Sequence, residues 1–473
     1  MKKIFYPAVL SALLLIVLLA SCGRAGYTSD PPTSAMSEIE SATPSPEPSP
    51  LPSPPADDPP EETAPEYSSP AYSPDDLFTS GRTRGDYLDD LDFLYNTLVE
   101  NFPFMGVIYR SIEVDLHYHY ISTRRRIETI DDIRSDGSFV LIINSGFISH
   151  ARQLGHFGML NRDSVRFHAQ IFNNAQWDAF IPFVDELNNP ATRTLHRLTD
   201  EDFEPPTQGE DSFVYATWSQ NIQTRIIEEG KIAYVNIQSM SSATMELDRI
   251  TLLDFFREVA DYEHLIIDIR QNGGGDSRFF PELVIAPNIG ERLYFDNYVF
   301  IMGGDHNRQM LRYWFFDFSN PEESPFNPVN DALIARLPNL NPEDAAILDY
   351  YFNAGGFVDP THGNGIFGGK IWLLVSERVF SASEAAAAMV KQTGFATLVG
   401  TTTGGDGIGI NPLMLALPNT GIIVRYSSLY GTDANGRNNQ EFGTDPHIFN
   451  HPGLDALQTV LEIIEELQIQ NAA

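Results

Sequence analysis

Residues 265–275 read LIIDIRQNGGG, and this stretch decides the fold. Its first half is mostly apolar, which is typical of a strand that is buried on both faces of a sheet. The three glycines at 273–275 allow the backbone to adopt positive φ and to approach a ligand closely. No Gly-Lys-Ser/Thr follows them, so the loop is not a phosphate loop. Because such a loop is often only a tight connection, the stretch by itself predicts a buried strand and no particular chemistry.

Strand and helix patterns alternate along the chain around this stretch. The predicted strands are 231–237, 265–270, 371–375, 397–400 and 421–426, and the predicted helices are 243–262, 382–393 and 454–467. Several of these strands are apolar throughout. The alternation therefore favours an α/β fold, with a mixed, partly parallel sheet core and flanking helices.

A helical unit is predicted before this core. Residues 87–100 place Leu88, Leu91, Leu94 and Leu98 on one helical face, and Asn-Phe-Pro at 101–103 ends the helix. Two or three further amphipathic helices are expected as far as residue 148. We therefore expect a helical N-terminal domain at 76–148 and one core domain at 149–473.

The N-terminus predicts export and a lipid anchor. Lys2 and Lys3 precede an apolar run at 8–20 that is too short to span a bilayer comfortably, as in a secretory signal. The run ends in Leu-Ala-Ser-Cys at 19–22, which resembles the bacterial lipobox, and Cys22 is the only cysteine. An ordinary signal peptide with an incidental cysteine is the alternative. Residues 23–75 are rich in Pro, Ser, Thr and Glu and predict a disordered spacer.

The composition excludes one class of partner. The chain has 30 basic and 64 acidic residues, a formal charge of −34, and its only basic cluster is Arg-Arg-Arg at 124–126. Binding to a phosphate backbone needs many basic contacts, so no nucleic-acid partner is expected. A single cysteine also excludes a disulfide framework within the chain.

Ser381 is the first candidate for chemistry. It lies in VFSASE at 379–384, between a predicted buried strand and an alanine-rich helix. A side chain at such a junction is exposed at the carboxyl edge of the sheet, and the Ala382 amide at the helix start can meet a developing anion. The same residues also fit a capping box, with Ser381 as N-cap and Glu384 three positions later. The local motif leaves both interpretations open.

His156, in QLGHFG at 153–158, is the candidate base. One histidine among eleven is more often structural than catalytic, so its spacing alone does not select it.

Several motifs in combination resemble the C-terminal-processing and tricorn-core serine peptidase family, also called tail-specific proteases. DIRQNGGG at 268–275 and SASE at 381–384 carry the resemblance, and the strand near Lys231, GTTTGG at 400–405 and GTDP at 443–446 follow in the family's order. The resemblance covers about residue 149 to the C-terminus. It implies a ClpP/crotonase-like core.

The resemblance implies that Ser381 is the nucleophile. It also implies that the glycine loop contributes an oxyanion-hole amide, through Gly273 or Gly274, beside that of Ala382. The C-terminal-processing branch uses a lysine where this chain has Asp406. Lys391 does not substitute for it, because ten residues along a helix span about 15 Å.

The tricorn-like branch instead pairs its serine with an upstream histidine and a glutamate near the C-terminal end. Here His156 matches the histidine, although glycine stands before it where that branch has serine. Glu441 is the best match for the glutamate, Gln440 is the alternative if the alignment shifts by one residue, and Asp406 is an alternative carboxylate.

These observations together predict an extracytoplasmic, lipid-anchored serine endopeptidase on the outer face of a bacterial membrane. Its expected partners are a peptide or unfolded protein substrate and the membrane itself. No cofactor or metal is expected, because Asp445, His447 and His451 are not completed by further ligands. The alternative is a surface lipoprotein that keeps the peptidase fold and only binds a peptide or an apolar ligand.

Overall fold

The computed structural model describes residues 81–130, 135–175, 177–204, 221–313, 326–361, 363–409 and 412–472. The predicted signal peptide at 1–22 and spacer at 23–75 lie outside the described residues. The strands are β1 Gly158–Met159, β2 Ile222–Glu228, β3 Ile232–Ile237, β4 His264–Asp268, β5 Leu293–Phe295, β6 Asn297–Ile301, β7 Asn327–Pro328, β8 Tyr350–Asn353, β9 Gly356–Val358, β10 Lys370–Val375, β11 Thr397–Gly400, β12 Leu413–Ala416, β13 Ile423–Tyr426, β14 Leu429–Asp433 and β15 Ile448–Phe449.

The helices of the described residues surround these strands. They are α1 Arg84–Asn101, α2 Met105–Ile112, α3 Leu116–Thr129, α4 Asp136–Gly146, α5 Arg162–Asn174, α6 Ile181–Leu187, α7 Pro190–His196, α8 Met245–Glu258, α9 Asp305–Leu311, α10 Asp331–Ile334, α11 Pro342–Ala345, α12 Ala382–Thr393, α13 Asn439–Phe442 and α14 Ala456–Ala472. Within the described ranges, no helix combines the length and the apolar character that crossing a membrane requires.

A six-stranded sheet, in the order β15-β11-β10-β4-β3-β2, forms the centre of the region between residues 222 and 449. Five of its strands run parallel and β2 pairs antiparallel with β3 at one edge. The sheet is therefore mixed and partly parallel, and helices flank it. The predicted fold class is confirmed.

The central strand β4 shows why an unbroken apolar run was needed here. Leu265 and Ile267 face one cluster, with α8 and α12, whereas Ile266 faces another with Trp372 and α14. All three β4 side chains are completely buried because helices cover both faces of the sheet. The strand then leads directly into the glycine loop at 273–275.

The helical region continues beyond its predicted end. Helices α1 to α7 reach residue 196, and their buried side chains share one cluster with β6, β8 and β12 to β14. Buried side chains on both sides of residue 148 belong to this cluster, and the domain division at that residue stays a prediction. A separate three-stranded sheet, β1-β13-β12, lies within this cluster and carries the loop that contains His156.

Candidate active site

Ser381 occupies a strained turn between β10 and α12. Its backbone has φ 57° and ψ −124°, a region that costs a non-glycine residue roughly 1–3 kcal/mol. The Ser381 side chain makes no capping hydrogen bond, although the residue stands at the N-cap position. Capping therefore does not explain this serine. The turn instead leaves its hydroxyl at the carboxyl edge of the sheet.

Ser383 fastens the turn to the glycine loop. Its buried hydroxyl accepts a hydrogen bond from the Phe380 amide at 3.0 Å and lies 2.6 Å from the Asn272 carbonyl, to which it donates. Asn272 is itself buried, and its side-chain amide donates to the Ile237 carbonyl of β3. The turn and the glycine loop are thus held together by hydrogen bonds of buried side chains.

Gly274 is the point of closest approach between the loop and Ser381. Its φ is +109°, and a Cβ built there would lie 2.8 Å from the Phe380 carbonyl oxygen and 2.9 Å from Ser381 Cβ. Only glycine fits this contact. The Gly274 amide donates to Asn272 Oδ1 at 2.9 Å. Among the described residues, the amides of Gly273 and Ala382 have no acceptor, so these two remain as candidate oxyanion donors.

His156 lies beside the same turn. Its ring centroid is 4.8 Å from that of Phe380, the residue before Ser381. Nδ1 lies 2.5 Å from Asp406 Oδ2 and 3.0 Å from Ser427 Oγ, and Ser427 donates to the same carboxylate at 3.2 Å. The His156 and Asp406 side chains are 11% and 6% exposed. Because Nδ1 is occupied, Nε2 is the nitrogen that remains for a reacting group.

His156, Ser381 and Asp406 share a backbone property. All three have positive φ, at 49°, 57° and 57°, although none is glycine. Such strain tends to collect at functional sites. Between the described atoms of Ser381 and His156 no hydrogen bond is formed. Catalytic hydrogen bonds are often long before substrate binds, so this spacing does not remove the pair.

Glu441 does not contact His156. Its two carboxylate oxygens accept hydrogen bonds from the Arg110 guanidinium at 2.9 and 2.8 Å, and Arg110 also pairs with Asp344. The carboxylate on His156 is Asp406, because the turn at 404–407 runs beside the Ser381 turn, with Gly405 accepting the Ser381 amide at 3.1 Å. The structure thus brings together Ser381, His156 and the glycine loop, and it places Asp406 where Glu441 was expected.

Gln440 and Asn439 connect the segment that contains His156 to the turn that contains Asp406. Gln440 Oε1 accepts the Gly155 amide at 2.9 Å, next to His156. Asn439 Oδ1 accepts the Gly407 amide at 2.7 Å, next to Asp406. Short helix α13 therefore holds both flanking segments at once.

Glu384 lies buried beneath the Asp406 turn. Its Oε1 accepts hydrogen bonds from Asn439 at 2.7 Å and from Thr444 at 2.6 Å. Burial raises the pKa of the Glu384 carboxyl to about 7, although these hydrogen bonds oppose the shift. The residue is therefore a structural support of the site and not the return half of a capping box.

Gly155 also has a physical reason for its identity. Its φ is +60°, and a Cβ there would lie 2.7 Å from the Phe102 ring. A serine would not fit at this position. The hydroxyl that contacts His156 comes from Ser427, which follows directly after β13 and which no local sequence motif indicated.

The remaining candidates lie apart. Lys391 Nζ donates to the Pro446 carbonyl at 3.3 Å. Asp445 binds Thr402 and Arg437, whereas His451 binds Glu462. Within the described part of the chain, no group of three or more His, Cys, Asp or Glu side chains could hold a metal ion.

A sequence comparison relates the segments that carry the glycine loop and the Ser381 turn to a peptidase family. The family model for peptidase family S41 matches residues 231–293 and 358–449. These segments contain β3, β4, the glycine loop, the Ser381 turn, Asp406 and Ser427. Over these two segments the chain matches peptidase family S41, and the predicted resemblance to that family is confirmed.

Three solved structures illustrate the range of structural similarity. A candidate peptidase from Parabacteroides merdae is 17% identical, with a TM-score of 0.47, and the match covers 82% of this chain and 96% of that one. A lipoprotein from Streptococcus agalactiae is 12% identical, with a TM-score of 0.41 and coverage of 81% and 96%. Mature CPAF is 14% identical, with a TM-score of 0.45 and coverage of 77% and 92%. Comparison with curated proteins gives no match. The family assignment rests on the sequence model.

Proposed function

We propose that this chain is a serine endopeptidase that cleaves peptide bonds through an acyl-enzyme on Ser381. The observation that carries the proposal is the contact between Asp406 and His156 Nδ1 beside the Ser381 turn. A carboxylate on Nδ1 fixes the imidazole so that Nε2 can accept a proton. In this proposal Asp406, and not Glu441, orients the base.

The chemistry follows from these positions. Nε2 of His156 takes the proton of the Ser381 hydroxyl as Oγ attacks the scissile carbonyl carbon. The oxyanion accepts hydrogen bonds from the amides of Gly273 and Ala382, and one such donor contributes about 3–4 kcal/mol in the transition state. His156 then gives its proton to the leaving amine, and water releases the acyl group by the same steps in reverse.

We further propose that the enzyme acts outside the cytoplasm, attached to a bacterial membrane through lipid on Cys22. The Lys2-Lys3 start, the apolar run and the Leu-Ala-Ser-Cys segment support this location. Incorporation of labelled palmitate that disappears in Cys22→Ala is the expected result. Unchanged labelling in that variant would contradict the anchor.

The substrate class we propose is a peptide or an unfolded protein, because the segments that carry the glycine loop and the Ser381 turn match a peptidase family. The test is hydrolysis of fluorescently quenched unfolded casein by the wild type, Ser381→Ala, His156→Ala and the exposed control Ser242→Ala. Turnover by the wild type and the control, and its loss in the other two, is expected. Well-folded protein that binds casein without cleaving it would favour the alternative, a peptide-binding lipoprotein, which the missing Ser381–His156 hydrogen bond supports.

A further inference from the structure

The three-stranded sheet beside the site contains a second charged residue, Arg425, near His156. In the β1–β13 pair, Gly158 lies opposite Arg425, and two residues beyond Arg425 the Ser427 hydroxyl lies 3.0 Å from His156 Nδ1. Arg425 lies in β13, and Ser427 follows directly after the last residue of that strand. Two residues of extended backbone span about 7 Å, so Arg425 lies about that far from Ser427.

Arg425 has no partner for its charge. It is half-buried, and it forms no hydrogen bond or ion pair with any described residue. Arg110 and Arg270, which are also partly buried, both pair with carboxylates. No nitrogen of the Arg425 side chain is both fully buried and without a partner, so each of these nitrogens keeps some exposure to solvent. Arg425 is thus a partly buried cation whose guanidinium has no counter-charge among the described residues.

The residues paired with Arg425 on the two neighbouring strands leave space beside its side chain. A Cβ built on Gly158 would meet a single non-adjacent heavy atom, the His156 carbonyl oxygen, at 4.0 Å. On the other side, Arg425 pairs with Met414 of β12, which is buried and uncharged. Space is therefore left beside Arg425 at Gly158, and Met414 supplies no counter-charge.

The titratable groups nearby do not neutralise Arg425. Burial lowers the pKa of the His168 imidazole on α5, and the charge of Arg425 lowers it further, so His168 is neutral near pH 7. Glu186 of α6 forms no ion pair with Arg425; it accepts the Ala416 amide, and burial raises the pKa of its carboxyl to about 7. In a chain with twice as many acidic as basic residues, an open and unpaired guanidinium marks a place for an external anion.

We propose that Arg425 binds a carboxylate of the peptide substrate, in a subsite two residues along the chain from Ser427, which contacts His156. The planar guanidinium offers two parallel N–H donors that match a carboxylate. The carboxylate can come from an Asp or Glu side chain or from the C-terminus of the peptide. This subsite rests on the proposed function, since it assumes that a peptide lies across Ser381.

The test measures binding without catalysis. Fluorescent peptides of one sequence are titrated by anisotropy into Ser381→Ala, and into Ser381→Ala combined with Arg425→Gln, Arg425→Lys or the exposed control Arg336→Gln. The peptides carry a Glu side chain with an amidated C-terminus, a Gln with a free C-terminus, or a Gln with an amidated C-terminus. The first two peptides distinguish the two sources of the carboxylate.

We expect Arg425→Gln to weaken binding of one carboxylate-bearing peptide about 10- to 100-fold, the range of a charge-assisted hydrogen bond. Arg425→Gln should bind the neutral peptide as tightly as Ser381→Ala alone does. Arg336→Gln should bind all three peptides unchanged, and Arg425→Lys should retain part of the preference for the carboxylate-bearing peptide. Equal weakening for all three peptides, or none for any, overturns the subsite. Thermal unfolding of each variant separates lost folding from lost recognition.

A second measurement keeps the two proposals distinguishable. The ratio of kcat/KM for the carboxylate and neutral peptides is determined in protein with Ser381 intact. Cleavage without any dependence of this ratio on Arg425 overturns the subsite and leaves the peptidase standing. Arg425-dependent binding without cleavage by the intact protein overturns the peptidase and leaves the subsite standing.

Discussion

Replacing Asp406 by asparagine changes one atom in the contact that carries the proposed mechanism. In the wild type the carboxylate accepts the Nδ1–H of His156 at 2.5 Å and the hydroxyl of Ser427 at 3.2 Å. Asparagine can place its NH2 group against Nδ1 instead. The imidazole then carries its proton on Nε2, where it cannot accept the proton of Ser381.

The expected loss is large because this contact is protected from water. Both side chains are almost buried, so solvent does not replace the missing charge. The wrong tautomer in a serine protease triad lowers kcat by roughly ten-thousand-fold. We expect Asp406→Asn to lower kcat/KM by about a thousand- to ten-thousand-fold, which corresponds to about 4–5.5 kcal/mol.

The matched control is Glu441→Gln. Glu441 contacts Arg110 and not His156, so this change should lower kcat/KM by less than about tenfold at unchanged folding. Both variants are assayed with one quenched peptide, and their thermal unfolding is compared. The reasoning is refuted if Glu441→Gln loses as much activity as expected for Asp406→Asn while Asp406→Asn retains most of it.

Three further outcomes follow from the described contacts. Gly274→Ala should abolish hydrolysis, because its Cβ would meet Ser381 Cβ at 2.9 Å at a φ of +109°; a fully active variant in the peptide assay would contradict this. Glu384→Gln should change the pH dependence of the free energy of unfolding. The folded-state pKa of Glu384 is about 7 against an ordinary 4.5, so its proton stabilises the fold fully below pH 4.5, and this contribution is lost as the pH rises to about 7. Urea unfolding at pH 5 and pH 8 should show a decline on the order of 2–3 kcal/mol in the wild type beyond that of Glu384→Gln, and equal declines would argue against it. Arg110→Met should lower the free energy of unfolding by about 3–5 kcal/mol, because it leaves the buried Asp344 uncompensated, and calorimetry showing no change would oppose that expectation.

The main elements of the sheet and its helices were predictable because their patterns are local. The apolar run at 265–270 predicted β4, and the alanine-rich segment at 382–393 coincides with α12, which ends at Gly394 in the left-handed conformation. Boundaries shifted where a cap lies outside the apolar repeat. Helix α1 begins at Arg84 because Thr83 and Asp86 form a capping box before the first apolar residue of the repeat.

The carboxylate and the supports of the site were not predictable, because their partners are distant in sequence. Glu384 follows Ser381 at capping-box spacing, yet buried donors of Asn439 and Thr444, more than fifty residues away, hold it instead. Asp406 reaches His156 across 250 residues, and Ser427 reaches it across 271. No periodicity within a window reports such pairings.

The nucleophile and its base are tested most directly by covalent labelling of the folded protein with a fluorophosphonate, followed by intact-mass measurement and peptide mapping. One adduct per chain on Ser381, absent in His156→Ala and strongly slowed in Asp406→Asn, is the predicted result. A well-folded wild type without an adduct, or an adduct on another serine that persists in Ser381→Ala, would contradict the mechanism.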